Sequence, residues 1–262
     1  MNKFINKIIA VIFIISLVRC TPFYKIPTEQ TYAPLSKKDI VIILHQEDPV
    51  PNGSVLIGKS KKPIETFYYD AGASVGERYA RKMGGNIVKI SKWGYSEKTL
   101  TMGYNQSFEI YYNPDLTGYL SYQQQKKDSV KLAKFGPNPD YSMLYIFPRL
   151  GGGGFIPYKI RLNDKPVCEV KTSTTYAIKL SKEGHAILSA NTLVSKRDLL
   201  LNVKFGEEYY IHFGTDIEGV SGSLIFWRVP HLGLLNNYIG EIEYKKATKG
   251  IIQPPVIDFN SK

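Results

Sequence analysis

His45-Gln46-Glu47-Asp48 sets an imidazole beside two carboxylates, a trio that could hold a metal ion or pass a proton. The cluster closes an apolar run just before the turn Pro49 to Gly53, where a solvated loop is the expected setting. The other histidines, His185, His212 and His231, have no second His or Cys at ligand spacing. Gly219-Val220-Ser221-Gly222-Ser223 approaches the nucleophile elbow Gly-x-Ser-x-Gly but ends in Ser223. Gly151 to Gly154 would need a following Lys-Ser/Thr and a helix to cradle phosphate, and neither follows. Cys168 has no base near it in sequence and reads as a buried thiol behaving as a small hydrophobe. Tyr69, Trp93, Tyr95, Tyr119, Tyr122 and Trp227 could line a sugar- or peptide-binding face. Strand core and hairpin pairing account for them more simply. No catalytic residue, cofactor site or metal site is expected.

Lys3 and Lys7 precede an apolar run, Ile8 to Val18, interrupted only by Ser16. A basic segment before so short a run is a secretory leader, since a membrane span needs about 20 apolar residues. Leu17-Val18-Arg19-Cys20 follows and resembles the bacterial lipoprotein box, with Arg19 where a small residue is usual. The resemblance implies cleavage before Cys20, lipid attachment at Cys20 through palmitate-type chains, and a lipid bilayer as partner. Residues 1–19 are then a signal peptide. Residues 20–36, with Pro22, Pro27 and Pro34, read as an extended tether. No acidic run follows Cys20, so the periplasm-facing side of an outer membrane is expected rather than the cell exterior.

The elements that follow divide into two domains. In residues 37–114, Asp39 to Leu44 and Ser54 to Gly58 read as strands. Ser74-Val75-Gly76-Glu77 reads as a capping box opening a helix whose apolar stripe is Val75, Tyr79 and Met83. Gly84-Gly85 stops that helix. Asn86 to Ile90 and Ser107 to Tyr112 resume the sheet, giving a small α+β (ββαββ-like) domain. The passage Glu77 to Ile90 resembles small bacterial envelope α+β domains such as that of the Rcs stress-sensor lipoprotein. That sensor's disulfide cysteines are missing here, which argues against carrying over its signalling role.

Residues 115–140 are polar and rich in breakers and read as a linker, with a short helix around Lys126 to Lys134. Lys126, Lys127 and Lys131 there read as a solvated face. From 141 to 246, strands recur every 8–12 residues or so, the rhythm of an all-β immunoglobulin-like sandwich. They are 143–147, 158–162, 167–170, 175–180, 185–190, 199–205, 209–213, 223–229 and a last strand, 239–244. Residues 247–262 read as a C-terminal tail. The succession Leu144 to Arg149, Arg161 to Lys165, Leu180 to His185, Phe205 to Tyr210 and Gly240 to Glu243 resembles a domain-of-unknown-function family common in bacterial lipoproteins. The resemblance implies a fold and no reaction.

The chain carries 34 Lys+Arg against 23 Asp+Glu, a formal +11. Lys3, Lys7 and Arg19 leave with the leader, so the mature chain keeps 31 basic residues against 23, or +8. Export removes nucleic acid from reach and turns the excess towards anionic lipid heads or glycans. The expected function is a non-enzymatic, membrane-anchored envelope lipoprotein that binds or scaffolds an envelope protein or glycan. The alternatives are an envelope-stress sensor and a cell-wall glycan or peptide hydrolase with an unrecognised site.

Overall fold

The computed structural model describes residues 22–96, 103–149, 157–171, 174–192, 195–219, 226–249 and 256–259, with the side chains of 217–219 and 226–228 left aside. The chain is mostly β, with several sheets and three helices among the described residues. It divides into two compact units, the first ending at Leu116 and the second taking up the chain from Thr117.

The first unit holds β1 (Phe23–Lys25), β2 (Ile42–Leu44), β3 (Val55–Ser60), β4 (Ile64–Thr66), helix α1 (Tyr69–Met83), β5 (Ile87–Ser96) and β6 (Gly103–Tyr112). Its sheet runs β1-β3-β6-β5-β2, with β4 also on β6. Strand β1 corrects the tether reading of residues 20–36. Phe23 is 1% exposed, stacks on Tyr79 at 4.5 Å, and its strand pairs antiparallel with β3. Three residues are too short a run for the period-2 signal to stand out among prolines.

Helix α1 begins six residues earlier than the capping box predicts. Ser74 is not a cap. Its hydroxyl donates to the Asp70 carbonyl one turn back, while Glu77 pairs with Arg81. The extra turn is built on Ala71, Gly72 and Ala73, of which Gly72 and Ala73 are buried and Ala71 is exposed. A Cβ on Gly76 would stand 2.9 Å from both Phe108 and Val88, and one on Gly72 would overlap the Gln106 amide. Glycine lowers helix propensity by about 1 kcal/mol, and close approach to the sheet offsets that cost. Gly84 ends the helix as expected, at φ 82° in the left-handed region.

The second unit opens with α2 (Thr117–Phe135), which replaces most of the expected linker 115–140. None of its residues is buried. Lys131 donates to the Phe205 carbonyl and Lys134 pairs with Glu208, so it belongs with the strands that follow it.

Those strands are β7 (Ser142–Pro148), β8 (Tyr158–Leu162), β9 (Lys165–Val170), β10 (Tyr176–Leu180), β11 (Gly184–Asn191), β12 (Lys196–Val203), β13 (Glu208–Gly219) and β14 (Phe226–Leu235). They form a five-stranded sheet, β14-β13-β7-β10 closed by β15 (Val256–Asp258), and a four-stranded sheet, β12-β11-β8-β9. Alternate residues of both sheets share one core: Leu144, Ile146, Ile160, Ile178, Leu188 and Ile211 are all fully buried. The hairpin β8–β9 turns through Asn163 and Asp164, both at positive φ, as a two-residue loop requires.

Two expectations fail at the C-terminal end. Residues 239–244 are not a strand but part of helix α3 (Asn237–Ala247), so the segment Gly240 to Glu243 is helical. The Asn236 side chain caps it by accepting from the Ile239 amide. Nor are residues 247–262 only a tail, because β15 adds to β10 in parallel.

Candidate functional site

On strand β7, Leu144 and Ile146 enter the core, while Tyr145 and Phe147 turn to the other face of the five-stranded sheet. Strand β13 runs parallel beside it and places Tyr210 against Tyr145 and His212 against Phe147. Helix α3 lies over this face. Gly240 lets it close, since a Cβ there would run into the Tyr210 ring.

Where α3 leaves the sheet uncovered, a groove of about 630 Å³ opens, within the size range of small-molecule sites. Tyrosines form its floor. Tyr145 and Tyr210 stack at 4.9 Å, and Tyr244 from α3 sits 4.7 Å from Tyr145. Glu208 is the polar hub: it accepts from the Tyr145 hydroxyl at 3.3 Å and pairs with Lys134 at 2.7 Å. Burial, and then the Glu208 carboxylate, push the Tyr145 and Tyr210 hydroxyls far above the ordinary phenol range, so both are neutral donors. Lys245 pairs with Glu241 at the rim. Lys179 from β10 lies 4.6 Å over the Tyr141 ring and forms no ion pair among the described residues.

Beside the groove, under α3, runs a buried polar chain. Asp216 contacts His231 Nδ1 at 2.8 Å, and His231 Nε2 stands 3.2 Å from His212 Nε2. His212 Nδ1 faces Glu243 on α3 at 3.9 Å. Arg149 closes the outer end against Asp216 at 3.5 Å. A carboxylate only accepts, so His231 carries its proton on Nδ1 and offers Nε2 as acceptor to His212. Gly233 makes the crossing possible, because a side chain there would occupy the place of His212 Nε2. Burial above all, then the neighbouring His231 and Arg149 side chains, lower His212 to about 3. A neutral His212 can relay a hydrogen bond and cannot serve as a cation. No cluster of three metal-ligating side chains occurs among the described residues.

The residues singled out in the sequence scatter. His45 Nδ1 and the Tyr69 hydroxyl share a hydrogen bond at 3.1 Å, and the His45 amide donates to Asp48, which makes the cluster a strand-end turn. Tyr69, Trp93 and Tyr95 do meet in the first unit: Trp93 packs edge to face with both Tyr69 and Tyr95, and Tyr104 packs edge to face with Tyr69 and tilted against Tyr95. Tyr119 and Tyr122 lie on α2, in the second unit. Trp227 lies in β14, but its side chain is outside the described set, as are Cys20, Gly151 to Gly154 and Ser221 to Ser223. Cys168 packs on the core, and burial pushes its thiol up to about 12. The groove and the histidine pair were missed because their parts come from separate strands and α3. The one available signal was two histidines 19 residues apart on strands that form a hairpin.

No protein-family model, no curated protein and no solved structure matches the chain.

Proposed function

We propose that this chain is a membrane-anchored cell-envelope lipoprotein without catalytic activity, made of an α+β domain and an immunoglobulin-like sandwich that binds a ligand. The leader, Cys20 and the resemblance to lipoprotein sequences support the anchor. The observation that carries the binding role is the tyrosine-floored groove, in which flat apolar rings alternate with Lys and Glu heads. Such a mixture orients a ligand through a few polar contacts over an apolar base. A cell-wall glycan or glycopeptide, with flat ring faces and many hydroxyls, matches it.

Titration of the purified mature chain with soluble peptidoglycan fragments tests this reading. Saturable binding without turnover is expected, weakened about tenfold by Tyr145→Ala or Lys179→Glu. Turnover abolished by His231→Ala, or binding indifferent to both groove variants, would overturn it.

A further inference from the structure

We propose that the first unit lies flat against an anionic phospholipid surface, through a basic face on α1 and the β3–β4 turn that surrounds the point where the chain enters the fold. The inference rests on the reading of Cys20 as the acylated residue and names what covers the surface next to it.

Cys20 is three residues from Phe23, the first residue of β1. Three residues span at most about 10 Å, so an acyl chain on Cys20 holds this unit within roughly one Debye length of the bilayer. A long tether would have left its orientation open. A strand beginning at Phe23 does not.

The surroundings of that entry point are basic. The Lys61 amide donates to the Pro22 carbonyl at 2.8 Å, which sets the exposed Lys61 and Lys62 beside the incoming chain. On the helix side, Phe23 stacks on Tyr79. The cationic heads of Arg78 and Lys82 stand 5.7 and 5.3 Å from the centre of the Tyr79 ring. Both also line a shallow groove of about 440 Å³, joined there by Lys37. The one carboxylate in that lining, Glu77, is held by Arg81 at 2.8 Å. Lys37, Lys61, Lys62, Arg78 and Lys82 form no ion pair among the described residues, and all five are exposed.

An anionic bilayer is the occupant that satisfies both observations. The chain's entry point, and the anchor before it, already puts a membrane there, and exposed cations without ion pairs are attracted to a negative surface. Each Lys or Arg near such a surface strengthens attachment by roughly fivefold. An acyl chain joined to a polybasic patch is a two-signal anchor.

The mature chain bearing Cys20→Ser, which carries no lipid, isolates the face. In vesicle co-sedimentation it is expected to bind vesicles with 30% phosphatidylglycerol (about one lipid in three), release in high salt, and ignore pure phosphatidylcholine. Arg78→Ala with Lys82→Ala lowers the partition coefficient by roughly 20-fold. Lys159→Ala with Arg161→Ala, on the second unit, removes the same charge and leaves it nearly unchanged. Equal binding to both vesicle types, equal loss in the two double variants, or retention on an acidic polysaccharide but not on vesicles would overturn the proposal. Intact mass of the native protein reads acylation separately. Acylated Cys20 without vesicle preference removes only the basic face. Preference with unmodified Cys20 upholds the face and removes the anchor.

Discussion

His231 bridges His212 and Asp216, its Nε2 3.2 Å from the one ring and its Nδ1 2.8 Å from the other's carboxylate. In this chain His212 donates from Nε2 to His231, and burial keeps the His212 ring neutral, with its pKa lowered to about 3. An unfolded histidine titrates near 6.5. Between those values the unfolded chain binds a proton that the folded chain refuses, so stability is full above pH 6.5 and falls as pH drops towards 3. Asp216, held low by His231 and Arg149, adds a loss of the same sign at more acid pH. Unfolding free energies from urea titrations between pH 4 and 7 should fall with acid by roughly 1 kcal/mol per pH unit, and less steeply in His212→Asn. An unchanged slope in the variant would contradict the buried, neutral assignment.

Gly233 and Gly240 are the two glycines on which the packing over the outer sheet face depends. Gly233→Ala drives a methyl into the His212 ring, and Gly240→Ala drives one into Tyr210. Each should cost about 1–3 kcal/mol, the usual range for overpacking. Gly53→Ala meets no neighbour, so its cost, set by the left-handed φ of 77° alone, should be about 1 kcal/mol. Denaturation midpoints of the three variants check the order.

Phe23→Ala distinguishes a strand from a tether. As a buried ring stacked on Tyr79 and also near Phe108, Phe23 should cost about 3 kcal/mol or more when truncated. A flexible tether residue would cost nothing measurable by thermal or urea unfolding.

Cys168 should resist thiol reagents in the native state, because burial against the core pushes its thiol up to about 12 and leaves little thiolate at pH 8. Labelling should accelerate sharply when the chain is unfolded in urea. Fast native labelling would place Cys168 in a different environment.

The strands of the second unit were legible because their pattern is local. Tyr158 to Leu162 alternates buried and exposed without a break, and its bounds were read correctly. Residues 239–244 misled for the same reason: Glu241, Ile242, Glu243 and Tyr244 alternate like a strand. The buried residues are Ile239, Gly240 and Glu243, which is helical spacing, and Asn236 was the overlooked cap. Helix α2 buries nothing, so no apolar stripe marked its full length. The groove depends on Tyr145, Lys179, Tyr210 and Tyr244 converging through parallel β7–β13 pairing and α3 docking, and no local pattern encodes that.

The anchor is the premise on which the envelope setting depends. Intact mass of the protein extracted from membranes tests it most directly. The account predicts a chain beginning at Cys20 with the added mass of its acyl groups. A chain beginning at Met1, or an unmodified Cys20, would contradict it.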